Sequence, residues 1–366
     1  MTALHNIPGD RGIRAILLIQ LGDIGDVVLS FPSIQALREN FPDSRIVVVV
    51  REKAIDLLED CPWISESVPV GPPPKGILAW LTHHYRFFRQ LRRHRFDLAI
   101  DMRTGTRGAV MAVLSGAPQR ISRFAYDGGL WRNRVFTQLA APDLLPGQAV
   151  SDYYLRILTE CGIPARNTVP KLVVSSGKLR AAADLLRRHE IEQSHPFVVL
   201  QPFSLWKYKE LPTKTVTELI HAIDGKFHLP VVLAGGPEDR SRADKLCRAC
   251  HGSRVVNLAG KTSLGDYAAL LKLSDMFIGI DSAGLHIAAA VGVPTVGIFG
   301  PSSIDAWAPR GNQNIVVHKD MECIPCSQKG CNSDGISRCM EELSVGEITA
   351  FVWPHIQQFV TGLPDG

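Results

Sequence analysis

Two stretches carry residues suited to work on a phosphorylated substrate, and their charges point opposite ways. LGDIGDVVLS, residues 21–30, sets Asp23 and Asp26 around Gly22 and Gly25, directly after an apolar run, 13–19, that reads as a buried parallel strand. Such a strand-to-helix turn normally offers backbone N–H groups and a positive helix end to phosphate. With two carboxylates in that place a phosphate is repelled, so something other than pyrophosphate must sit here. The two glycines also fall short of the three in G-x-G-x-x-G, which disfavours a nicotinamide-dependent dehydrogenase. GIDSAGLHIAAAVGVPTVGIFGP, residues 279–301, is the counterpart. Asp281 and Ser282 are good N-cap types, and Ala283 and Gly284 leave the start of a small-residue helix bare. Backbone N–H groups there, helped by the helix dipole, suit the pyrophosphate that Asp26 rejects, and His286 adds a donor one turn in. The plainer alternative is a capped, tightly packed helix without a ligand.

Three further segments carry charge or thiols. QPFSLWKYKELP, residues 201–212, puts Lys207 and Lys209 in a loop after a strand, where open α/β sheets bind ligands. In LAGGPEDR, residues 233–240, Glu238 either stabilises the first helical turn or binds ribose hydroxyls. ECIPCSQKGCNSDGISRCM, residues 322–340, holds Cys323, Cys326, Cys331 and Cys339. Its first C-x2-C is compatible with zinc, but the later spacing is irregular, and a compact cysteine-rich loop with a packing role is the competing reading. Cys247 and Cys250 repeat the C-x2-C spacing inside a helical pattern, as buried thiols.

The elements that must position these residues alternate. Strand-like runs at 13–19, 45–50 and 97–101 are separated by helix-like segments at 26–39, 52–60, 77–93 and 106–115. A second series has strands at 196–200, 230–234, 276–280 and 295–299, with helices near 213–225, 238–250, 264–273 and 283–291. This is the pattern of α/β halves with doubly wound parallel sheets. The chain has 366 residues, beyond the usual limit of a single core. The Pro- and Ser-rich stretch 163–177 marks the connection, giving domains at 1–170 and 171–344. A C-terminal segment, 345–366, has helix-like apolar spacing and can pack back on the first domain.

Forty basic against 36 acidic residues give a net charge of +4, too little to argue for nucleic acid. Locally the balance differs: residues 82–97 interleave five arginines and three histidines with aromatic residues. This basic amphipathic helix is either a solvated face on a sheet or a surface for anionic lipid or an acidic glycan. No apolar run approaches the roughly 18 residues of a membrane span, and no signal peptide is evident, so a cytoplasmic protein without a disulfide framework is expected.

Taken together, LGDIGDVVLSFPSIQALRENFP, DMRTGTRGAVMAVLSGAPQRI, LAGGPED, NLAGKTSLGDYAALL and GIDSAGLHIAAAVGVPTVGIFGP resemble the ADP-heptose:lipopolysaccharide heptosyltransferases of glycosyltransferase family 9, over nearly the whole chain. The resemblance implies a GT-B fold, in which two facing Rossmann-like domains bind acceptor on the N-terminal side and nucleotide sugar on the C-terminal side. Asp26 matches the family's general base. Lys209, in its K-x-x-P context, matches a phosphate-contacting lysine; with Ser282 and the N–H groups of Ala283, Gly284 and His286 it would meet the departing diphosphate. Asp281 and Glu238 match positions contacting heptose and ribose. Arg107 matches an acceptor-side arginine, with Arg103 and Gly25 beside the same acceptor. The implied reaction is a single inverting displacement that needs neither metal nor other cofactor. Its partners would be ADP-heptose and the inner core of lipopolysaccharide, with peripheral contact at the cytoplasmic face of the inner membrane. The family pattern has a threonine and a glycine where this chain has Ser282 and Ala283. Another nucleotide sugar, an epimerase, or a non-catalytic glycan- or nucleotide-binding module are the alternatives.

Overall fold

A computed structural model describes residues 12–360 apart from 128, 142, 193, 333 and 334; the first eleven residues and 361–366 of the C-terminal segment lie outside the described residues. The chain divides between Val173 and Val174 into two compact units.

The first unit is a six-stranded parallel sheet of β1 (Ala15–Gln20), β2 (Arg45–Arg51), β3 (Glu66–Val70), β4 (Leu98–Asp101), β5 (Gln119–Arg123) and β6 (Gln138–Ala140), in the order β3-β2-β1-β4-β5-β6. β1 is buried along all six residues and Ile46 to Val50 of β2 are fully buried. Each such aliphatic side chain contributes roughly 1.5–3 kcal/mol, and a parallel sheet covered on both faces needs such unbroken apolar runs. The second unit repeats the topology with β7 (Val198–Gln201), β8 (Val231–Leu233), β9 (Val255–Asn257), β10 (Met276–Ile280), β11 (Thr295–Phe299) and β12 (Asn314–His318), ordered β12-β11-β10-β7-β8-β9. In each unit the order reverses beside the first strand, so loops after β1 and β4, and after β7 and β10, flank a crevice at the carboxyl ends of the strands.

The differences from the sequence expectation lie in weakly apolar strands, helix breaks and added helices. β3, β5, β6, β9 and β12 carry no long apolar run: β3 contains Pro69, tolerated at a sheet edge, and all three residues of β9 are half-buried. The single helix expected at 26–39 is two, Ile24–Leu29 and Phe31–Asn40, with Ser30 ending one and starting the other and Pro32 in the first turn of the second. Residues Glu52–Leu58 form a 3-10 helix. Helices Val150–Thr159 and Ser176–Arg187 add to the pattern expected from the sequence. The C-terminal helix Val345–Val360, for which a return to the first domain was open, puts Ile348, Val352 and Ile356 into the core of the second unit, with Trp353 edge-on to Phe227.

Candidate functional site

In the first unit the turn after β1 gathers the charges. Asp26 lies in helix Ile24–Leu29, and its Oδ2 accepts the backbone N–H of Asp23 at 2.8 Å, closing the first turn. Arg103, in the loop after β4, places Nη1 2.9 Å from the same Oδ2, and the Tyr154 hydroxyl donates to Oδ1 at 2.7 Å. Arg103 Nη1 also donates to the Tyr154 oxygen at 3.2 Å. The Asp26 side chain keeps 12% of its exposure and Arg103 45%, so the pair borders solvent. Gly22 is required beneath it: a Cβ there would lie 2.4 Å from Asp26 Oδ2. Gly25 is half-buried in the same helix. Burial, and then the charge of Asp26, push the Tyr154 hydroxyl well above the usual tyrosine range, so it stays a neutral donor. Asp23 is turned away, bound to Lys53 at 2.7 Å and Arg51 at 3.1 Å, and the Lys53 hydrogen bond holds its carboxyl low.

Beneath Arg103 lies a buried frame. Asp101 Oδ1 accepts the Arg103 N–H at 3.1 Å, and Arg132 Nη2 bonds Asp101 Oδ2 at 3.4 Å, Ser122 Oγ at 2.9 Å and the Arg103 carbonyl at 2.8 Å. Burial pushes the Asp101 carboxyl up to about 7, against the pull of the Arg103 N–H and the Arg132 guanidinium. Arg107, in helix Thr106–Leu114, is exposed and has no carboxylate partner among the described residues.

The second unit builds its cluster from the loops after β7 and β10. Lys209, in a 3-10 turn Lys207–Lys209, places Nζ 2.6 Å from Asp281 Oδ2, with Asp281 4% and Lys209 19% exposed. Ser282 is the N-cap of helix Ala283–Val291 by position but makes no capping bond; its hydroxyl accepts from Gln201 Nε2 at 3.2 Å. Gln201 is in turn fixed by the Tyr267 hydroxyl at 2.5 Å. Gly284 packs directly on these two side chains: a Cβ there would lie 2.0 Å from Gln201 Oε1 and 2.9 Å from the Tyr267 oxygen. Ser282 and Ala283 stay half-exposed, whereas Gly284 is buried. His286 is also buried, its ring 6.2 Å from that of Trp307. Glu238 is exposed, and the neighbouring Asp239, not Glu238, accepts the Gly236 N–H at 3.0 Å.

The cysteine loop is buried at one end and open at the other. Cys339 is buried with Met340 in the second unit's core, and burial followed by the neighbouring thiols pushes it up to about 11. Cys323 and Cys331 are exposed and Cys326 half-buried, all with free thiols. Among the described residues no group of three or more His, Cys, Asp or Glu side chains is placed to hold a metal ion; residues 333 and 334 of this loop lie outside them. Cys250 is buried in the core and Cys247 packs against it.

The family model for glycosyltransferase family 9 (heptosyltransferase) matches residues 84–337. The chain belongs to glycosyltransferase family 9. Among this family 9 enzyme's relatives, lipopolysaccharide heptosyltransferase 3 of Escherichia coli is 27% identical over 300 residues, 80% of this chain and 85% of the relative. The solved ADP-heptose heptosyltransferase II of E. coli matches with a TM-score of 0.76 at 20% identity, covering 94% of this chain and 99% of that one. The E. coli heptosyltransferase WaaC with ADP matches at 0.73 and 15% identity, covering 93% and 99%. The fold of this family 9 glycosyltransferase is therefore GT-B, an α/β architecture with two Rossmann-like parallel sheets. Sequence reasoning did not reach Tyr154, Gln201, Tyr267 or Arg132. Gln201 opens the segment 201–212 and Tyr267 lies within NLAGKTSLGDYAALL, but neither carries a charge to mark it; Tyr154 meets Asp26 from 128 residues away.

Proposed function

We propose that this enzyme transfers heptose from ADP-heptose to the inner core of lipopolysaccharide at the cytoplasmic face of the inner membrane, with Asp26 as general base. One observation carries the reading: Asp26 is locked by three donors at the crevice of the first sheet yet stays open to solvent. A carboxylate offers about four acceptor positions. Asp23 and Arg103 take those of Oδ2 and Tyr154 takes one of Oδ1, which leaves the second Oδ1 position for an acceptor hydroxyl. The hydroxyl oxygen attacks the anomeric carbon, its proton passes to Asp26 as the new C–O bond forms, and the C–O bond to ADP breaks with inversion. Because the proton moves only as that oxygen becomes acidic, a strong base is not needed. Negative charge growing on the diphosphate is met by the second unit's cluster. Lys209 has three N–H donors; Asp281 holds one and the others are available to phosphate oxygens. The unfilled capping position of Ser282 leaves N–H groups at the helix start for the same oxygens. Exposed Glu238 is in reach of solvent for ribose hydroxyls, and Arg107 and Arg103 suit the phosphates and carboxylates of an inner-core acceptor.

The test is mass spectrometry of product formed from ADP-heptose and a defined truncated lipopolysaccharide acceptor, alongside a panel of other nucleotide sugars. Addition of one heptose by the wild type, loss of at least a hundredfold in turnover in Asp26→Asn and unchanged ADP affinity in that variant are expected. Preference for another donor overturns the heptose assignment. Turnover retained by Asp26→Asn removes the aspartate from its role.

A further inference from the structure

The helix Ile77–Arg93 begins off the body of the first unit and ends on it. Its apolar and aromatic residues recur at helical spacing, Ile77, Trp80, Leu81, Phe88 and Leu91, with the His84 ring in line and Leu78 and Tyr85 at the margin, a single stripe. In the last turns that stripe is used: Leu91 is 2% exposed, and Phe87 and Phe88 pack on the first unit's core. In the first turns it is bare. Ile77 is 81% exposed, Leu78 80%, Trp80 45%, Leu81 50% and Tyr85 66%. Trp80 stacks on His84 with ring centroids 4.2 Å apart, and His84 lies against Phe88, so the exposed and buried ends form one aromatic row.

The charge around this stripe has one sign. Residues 67–96 contain no aspartate or glutamate but include Lys75, Arg86, Arg89, Arg92, Arg93 and Arg95. Arg92 donates to the Leu114 carbonyl, whereas Arg86, Arg89 and Arg93 are exposed with no carboxylate partner among the described residues. Pro74, His83 and Arg86 line an open groove of about 430 Å³ beside the helix. A soluble partner helix or a second copy would also cover apolar residues, but a second copy sets these cations against themselves. An anionic bilayer surface answers both features, because the interface takes up apolar and aromatic side chains while lipid phosphates neutralise the arginines.

We infer that the first two turns of helix 77–93 are the membrane-docking element of this protein, inserting Ile77, Leu78, Trp80 and Leu81 among anionic phospholipids. The inference deepens the reading above, since it rests on an acceptor carried by a lipid surface. It gives the enzyme residence where such an acceptor is found, and none of these residues belongs to either cluster described for the reaction.

The test is cosedimentation with vesicles of phosphatidylethanolamine and phosphatidylglycerol against vesicles of phosphatidylcholine alone. Wild type should sediment with the first at least tenfold more than with the second, less so in high salt. Ile77→Ser/Leu81→Ser and Arg86→Glu/Arg89→Glu should each lower partitioning at least tenfold, since a buried aliphatic side chain is worth roughly tenfold or more and a single basic residue near such a surface roughly fivefold. Unchanged thermal unfolding and unchanged turnover on a deacylated soluble acceptor establish that these variants fold. Wild type that ignores the anionic vesicles overturns the inference, as does undiminished binding by the apolar variant, which is the outcome for a surface that holds a soluble anionic glycan through its arginines. Vesicle binding requires no turnover, so absence of heptosyl product leaves this result readable and bears only on the function.

Discussion

Tyr154→Phe is the sharpest probe of the base. The change removes one oxygen from a side chain only 2% exposed, and with it the 2.7 Å bond to Asp26 Oδ1 and the oxygen that accepts from Arg103. A hydrogen bond to a charged group is worth about 1.5–3 kcal/mol, and each 1.36 kcal/mol is tenfold in rate. Asp26 keeps Asp23 and Arg103 on Oδ2, so the carboxylate stays in place but Oδ1 loses the donor that aims it. We expect kcat to fall ten- to a hundredfold, with the donor KM within twofold of wild type because Tyr154 belongs to the unit that does not carry the Lys209 cluster. The assay is steady-state ADP release with both substrates varied, next to thermal unfolding of the same preparations. A purely structural tyrosine would lower the unfolding midpoint and leave kcat per folded molecule alone. Turnover within twofold of wild type, or a loss confined to KM for the donor, would refute the positioning argument.

Two further outcomes follow from the buried pairs. Lys209→Met should raise the donor KM at least tenfold and, by leaving Asp281 buried without its cation, cost about 3 kcal/mol of stability; adding Asp281→Asn should restore the unfolding midpoint but not the KM, and recovery of both would place the lysine in folding alone. Asp101 has its carboxyl raised from 3.8 to about 7 by burial, so between those values the native state holds a proton the unfolded state has lost. Its contribution is complete at low pH and disappears as pH rises through 7, with a slope of up to about 1.4 kcal/mol per unit. The unfolding free energy of wild type relative to Asp101→Asn, followed by denaturant titration from pH 5 to pH 8, should therefore decline; a flat or rising difference contradicts the raised value.

What the chain specifies locally is legible in its sequence. Unbroken apolar runs define β1, β2, β4, β10 and β11, because a strand covered on both faces cannot afford polar residues. Helices 77–93, 264–273, 283–291 and 345–360 stand where their apolar periods placed them. The residues themselves mark the turn around Asp26 as hostile to phosphate and the start of helix 283–291 as suited to it, and the family resemblance gives Asp26, Lys209 and Asp281 their expected roles. Short edge strands such as β6 and β9 escaped because half-exposed backbone pairs without demanding an apolar pattern. Only the tertiary structure decided the partners: that Tyr154 and Arg103 hold Asp26, that Gln201 and Tyr267 fill the space beside Gly284, and that Lys209 rests on Asp281. Each of those contacts joins segments from separate crossovers, and a hydrogen bond across such a distance in the chain is fixed by where parallel strands bring their ends together, which no local pattern of residues encodes.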